Sequence, residues 1–332
     1  MKNNLITSII VVILVSYLSS QIVYFGFTSN YSVNHFSKAT YEGLFEHGVF
    51  GYRILSRYML LGLDDFLDSH YPDKKPYRQI MFLDRRGNIN FYLAFFYLNT
   101  FFLILTSIVA VLLLEMKGIF KTTPQESMLI LFFIPILVNI TQFCIVTYDM
   151  LGCFFELLTI YIFLKYLNKN FVLALITICL LVVLATLNRE SSALTVSLII
   201  ALILFSEGFS DRAIVVIMAV SLSFLITYFA LRYFINPDPR LILEPVPDDY
   251  RIYSNLGGLF WLLFFYFSIA VSNTVKNRKM IIAYHLISLP YIFVVLTKGA
   301  MWEVRLYIPL LLGSIFLAKL DDTFLKFSLP FK

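Results

Sequence analysis

Apolar residues gather into ten stretches along the 332-residue chain, at about 5–27, 91–114, 128–147, 150–166, 171–187, 192–206, 213–235, 255–273, 280–297 and 304–320. A helix that crosses a bilayer needs roughly 20 mostly apolar residues. The pattern therefore predicts an all-α polytopic transmembrane bundle of about ten spans, forming a single domain over residues 1–332. The first run is too long for a cleaved signal peptide and reads as an uncleaved first span. Two junctions are tight. The third and fourth runs are barely separated around Tyr148, and the short runs 171–187 and 192–206 could form one broken hairpin. The last span begins at Arg305.

Two polar connections are longer, at 28–90 and 236–254. In the first, Leu44, Phe45, Tyr52, Leu55, Tyr58, Met59 and Leu63 recur close to helical spacing among charged residues. This spacing predicts one or two amphipathic helices lying in the membrane interface. Gly48 and Gly51 suggest a break between them, and Pro72 and Pro76 mark a turn beyond.

Composition supports the membrane reading. Hydrophobic residues make up 59% of the chain and charged residues only 14%, against about a quarter charged in soluble domains. No basic run is interleaved with aromatics, so a nucleic-acid partner is excluded. Cys144, Cys153 and Cys179 all fall inside apolar runs, without metal or disulfide spacing. Positive charge reads as topology instead. With the N-terminus in the cytoplasm, the inner short loops carry Lys117, Lys121, Lys165, Lys169, Arg212, Lys276, Arg278 and Lys279. The outer short loops carry only Arg189, Lys298 and Arg305. This bias obeys the positive-inside rule and returns the C-terminus to the cytoplasm. It also collects the remaining conspicuous polar groups on the outer face of the plasma membrane.

Those groups are the candidates for chemistry. The stretch LNRESSAL sets Asn188, Arg189 and Glu190 between two apolar runs. It reads either as a capped turn or as a site in which Arg189 grips an anion and Glu190 orients it. Asp149 opens a span, as a cap residue or as a cavity-facing acid, and Glu156 follows two turns later on the same face. A structural hydrogen bond from Glu156 to Asn139 or Gln142 is the plainer expectation for it. Glu303 and Arg305 beside Trp302 form either an interfacial anchor or a second anion site. In the first loop Glu46, His47, Tyr52 and Arg53 cluster, and Glu42 shares a helical face with Glu46. Either glutamate could act as a general base. Asp64 and Asp65 are weak candidates for a divalent cation, and no other cofactor is implied.

The elements FGYRIL, TYD, NRESSAL and WEVRLYIP, in this order and layout, resemble bacterial polytopic membrane proteins similar to the GT-C class of glycosyltransferases. The resemblance implies a GT-C-like fold and a polyprenyl-phosphate-linked sugar donor. It implies a glycan or lipid acceptor in the cell envelope and a first-loop carboxylate as base, Glu46 or Glu42. Arg189, Glu190, Asp149, Arg305, Glu303, Arg53 and His47 would then bind substrate. The chain has no DxD or ExD in that loop, unlike the better-known members. A transporter or flippase of lipid-linked sugars, an outer-face polysaccharide polymerase, and a non-catalytic membrane subunit are the alternatives. A transporter should place ionisable residues near the midplane and show broken helices or repeats. Here Glu156, Asn139, Gln142 and His285 are its only midplane candidates.

Overall fold

The computed structural model describes residues 2–26, 38–44, 51–71, 88–143, 145–235, 256–298 and 304–321. Among these residues the chain is helical and no strand forms beyond one isolated bridge, Phe120 to Leu320. The helices are α1 (Lys2–Gly26), α2 (Lys38–Leu44), α3 (Ile54–His70), α4 (Ile89–Leu114), α5 (Pro124–Asn139), α6 (Tyr148–Tyr166) and α7 (Phe171–Asn188). They continue as α8 (Ala193–Glu207), α9 (Asp211–Phe234), α10 (Leu256–Ala270), α11 (Val275–Ile287), α12 (Leu289–Lys298) and α13 (Ile308–Lys319). Short 3-10 turns at Ile140–Phe143, Glu190–Ser192 and Val304–Tyr307 lead into or out of them.

Helix starts are set by local side chains. Asn88 accepts from the backbone of Asn90 and Phe91, Ser210 from Ala213 and Thr274 from Asn277. Thr123 and Glu126 form a reciprocal capping box, with Pro124 opening α5. After α8, Gly208 takes a positive φ of 64°, a conformation that favours glycine.

Every apolar run of the sequence holds a helix, though not every such helix is long and apolar enough to cross a membrane unaided. Among the described residues six helices are long and apolar enough to cross a membrane, or seven if α11 and α12 form one span bent by 56°. Helix α6 carries Asp149, Glu156 and Lys165, while α10 and α13 have only 15 and 12 residues. The run at 280–297 is interrupted at Ser288, followed by Pro290. Of the first polar loop, α2 and α3 are described. Helix α3 is amphipathic as expected, burying Ser56, Leu60, Asp64 and Leu67 and exposing Tyr58 and Phe66.

Contacts sort the helix ends into two sets. At one end, Tyr24 near the close of α1 donates to Gln142 at 2.9 Å, and Asn90 in the first turn of α4 donates to Asp68 of α3 at 2.6 Å. At the other end, the amide of Lys121 donates to the carbonyl of Lys319 at 2.9 Å. There Asn277 donates to the carbonyls of Ala318 and Leu320 at 3.0 and 2.8 Å, and Arg212 to that of Leu167 at 2.6 Å. The short α13 lies deepest, with nearly every residue buried, whereas α1 and α9 present exposed isoleucines and leucines. Such helices are apolar all round because lipid and protein interior are both apolar.

Packing around α13 is tight at Gly313. A Cβ there would stand 2.9 Å from the Tyr284 ring and 3.1 Å from Leu198. Gly313→Ala is expected to destabilise the bundle by about 1–3 kcal/mol through overpacking, read as a lower unfolding midpoint in detergent. An unchanged midpoint would show that α11 and α13 are not held at this distance.

A candidate anion site built on Tyr148

The site starts from two helix junctions. Helix α7 ends at Asn188, whose side-chain amide donates to the Tyr148 carbonyl at 2.8 Å and so ties the end of α7 to the start of α6. Arg189 then adopts an extended backbone, φ −165° and ψ 145°, before the Glu190–Ser192 turn. This kink separates α7 from α8 and turns the Arg189 guanidinium onto Asp149, with which it forms a buried ion pair. Arg305 approaches the other Asp149 oxygen at 3.4 Å and donates to the Tyr148 hydroxyl at 3.2 Å. Arg53, just before α3, makes a two-pronged pair with Glu190 at 2.7 and 3.4 Å.

Tyr148 is the hub. The guanidinium carbons of Arg53, Arg189 and Arg305 lie 4.1, 5.0 and 5.8 Å from its ring centre, within cation–π range. Tyr148, Asp149, Arg53 and Arg189 are buried, and Glu190 keeps 29% of its side chain exposed. Burial works against the charge of Arg53, but Glu190 outweighs it, with Tyr148 and Asp149 adding to the effect, so its pKa moves up.

Five of the residues singled out in the sequence thus converge: Arg53, Asp149, Arg189, Glu190 and Arg305. Glu46, His47 and Glu303 lie outside the described residues. Glu42 is exposed on α2, and among the described residues no hydrogen bond or ion pair joins it to the cluster. Its neighbour Tyr41 is the buried residue of that turn, with its hydroxyl 3.3 Å from Thr147. Asp64 and Asp65 are engaged by Lys38, at 3.1 and 2.5 Å, rather than poised around a cation. Among the described residues no group of three or more acids, histidines or cysteines gathers as metal ligands. Burial raises the Asp64 pKa, against the pull of Lys38.

Sequence reasoning missed two participants. Tyr148 was legible only as a junction. Arg232, in the last turn of α9, stands 3.4 Å from the Tyr228 ring centre and 4.7 Å from that of Tyr52, next to Arg53. A lone arginine closing an apolar run was its signal. Glu156 is buried beside the Tyr284 hydroxyl, not against Gln142, which is held by Tyr24 and Asn99.

Two outcomes follow from the ion pairs. Asp149→Asn leaves buried guanidinium groups undercompensated and is expected to cost about 3–5 kcal/mol, most of it recovered in Asp149→Asn/Arg189→Met. Additive losses in the double variant, by thermal melts in detergent, would refute the coupling. Lys38→Met is expected to cost about 1–2 kcal/mol at pH 7. The carboxyl of Asp64 has a raised folded pKa, so the form that suffers is the ionised one. The loss should therefore shrink on acidification, as the carboxyl takes up its proton above the ordinary aspartate value. A loss that grows on acidification would contradict this.

Compared with family models, curated proteins and solved structures, the chain matches none.

Proposed function

We propose that this chain is a GT-C-like membrane glycosyltransferase, moving a sugar from a polyprenyl-phosphate donor to a glycan or lipid acceptor on the outer face of the plasma membrane. The observation that carries the reading is the convergence of Arg53, Arg189 and Arg305 on Tyr148 at one end of the bundle. Guanidinium forks match phosphate oxygens. Held in place by Asp149 and Glu190, they need no reorganisation as charge develops on a leaving group.

In this reading the acceptor hydroxyl attacks the anomeric carbon and the carbon–oxygen bond to phosphate breaks. The lipid phosphate departs against Arg189 and Arg305. The hydroxyl proton passes to a first-loop carboxylate, Glu46 or Glu42. The ten apolar runs are ten crossings, both termini are cytoplasmic, and the cluster end faces outward. Short helices such as α13 complete a crossing with their flanking 3-10 turn.

A second reading, a transporter or flippase of lipid-linked sugars, draws support from the 56° break between α11 and α12 and from buried Glu156. Broken helices and interior acids are features of transporters.

Transfer of labelled sugar from polyprenyl-phosphate donors by the chain in proteoliposomes tests the first reading. Arg189→Lys keeps the charge and loses the fork, so transfer is expected to fall by about 10²–10³-fold, the size of losing one oriented donor. Donor movement across the vesicle without any transfer would favour the second reading. The topology is tested by single cysteines at Ser69 and Lys169, both exposed, in a background without Cys144, Cys153 and Cys179. An impermeant thiol reagent should reach Ser69→Cys only from outside and Lys169→Cys only from inside. Labelling of both from one side would overturn the ten-crossing arrangement.

A further inference from the structure

An apolar groove lies away from the arginine cluster, at the opposite end of the bundle. It is a groove of about 720 Å³ between α5 and α10, floored by α13. Leu129, Ile130 and Phe133 form one wall, and Leu263, Phe264 and Phe267 the other. Phe133 and Phe264, one from each wall, stack with their ring centres 5.9 Å apart. From Glu126 to Phe133 the wall rises by seven residue steps, roughly 10 Å of helix, enough for part of one hydrocarbon chain.

Its polar end is formed by charge of both signs. The Lys319 ammonium sits 2.6 Å from one Glu126 oxygen and 3.5 Å from the Asn273 amide oxygen. The second Glu126 oxygen is tied to the Thr123 amide at 2.9 Å by the capping box. Lys319 and Glu126 both line the groove.

We propose that this groove binds one acyl chain of a zwitterionic phospholipid with a primary amine, its phosphate on Lys319 and its ammonium on Glu126. Three features select this occupant. The lining is hydrocarbon and aromatic apart from that one pair. A headgroup with phosphate alone would set its charge against Glu126, whereas a primary ammonium donates to it. A choline headgroup has no N–H to give. Among the described residues the walls offer no glycine, alanine or serine, the small residues that let a second helix approach closely.

The site is independent of the glycosyltransferase reading, because it shares no residue with the arginine cluster. The full chain is reconstituted in vesicles of equal parts phosphatidylethanolamine, phosphatidylcholine and phosphatidylglycerol. It is then re-extracted in mild detergent, and its retained lipid is measured by mass spectrometry. Phosphatidylethanolamine is expected to be enriched severalfold over its share of the vesicle. Glu126→Gln removes the charge yet keeps a residue that serves in a capping box, and should abolish the enrichment. Ile130→Trp fills the groove and should reduce retained lipid of every kind. Retention in proportion to the vesicle, enrichment of phosphatidylglycerol, or enrichment unchanged in Glu126→Gln would each overturn the proposal.

Discussion

The arrangement of the cluster end rests on the Asp149 carboxylate and the two guanidinium groups that meet it. A carboxylate with 4% of its residue surface exposed is tolerable only if opposite charge and hydrogen bonds replace the lost water. Arg189 and Arg305 supply both, from positions 40 and 156 residues away in the chain. Glu190, adjacent to Arg189, repeats the logic with Arg53 across 137 residues. Together these pairs fasten α3, α6, the α7–α8 junction and the turn before α13 to one another.

That fastening matters because the rest of the bundle says little about orientation. Helices such as α1, α4, α7 and α9 are apolar on nearly all sides, and apolar contact alone barely distinguishes one rotation about a helix axis from another. Polar ties do distinguish them. Ser16 meets Ser107 at 2.9 Å between α1 and α4, and Asn99 binds Tyr24, Gln142 and the Val146 carbonyl. At the far end Asn277 holds the carbonyls that close α13. The fold is thus a set of lipid-compatible rods indexed by a few buried polar contacts.

This division explains what could be read in the sequence. The helical runs were legible because length and apolarity mark them whatever they pack against. The members of the cluster were legible because charges at the ends of apolar runs stand out. Their partners were not, since pairing Arg53 with Glu190 depends on which helices are neighbours. Asp64 and Asp65 were weak cation candidates for the same reason, since Lys38, which pairs with them, lies 26 and 27 residues upstream. The break at Ser288 did have a sequence signal. Pro290 lacks the N–H that would continue the helix by bonding the Leu286 carbonyl, but an apolar run on both sides masked it.

The interior of the bundle also bears on the choice between enzyme and transporter. Of its polar residues, His285 is fully committed. Trp261, which can only donate, bonds its Nδ1 at 3.1 Å, so Nε2 carries the hydrogen and donates to Ser314 Oγ at 3.0 Å. Ser314 in turn donates to the Leu310 carbonyl at 2.7 Å. This chain of bonds locks α10, α11 and α13 together across the bundle and leaves the imidazole no lone pair for a substrate. Gln142 is likewise spent on Tyr24 and Asn99. Among the described residues Glu156 is then a buried carboxylate away from the cluster, while Arg53, Arg189, Arg232 and Arg305 crowd the cluster end. A route through the membrane would need polar groups along its length, whereas the proposed reaction needs them at one face, where the arginine cluster supplies them.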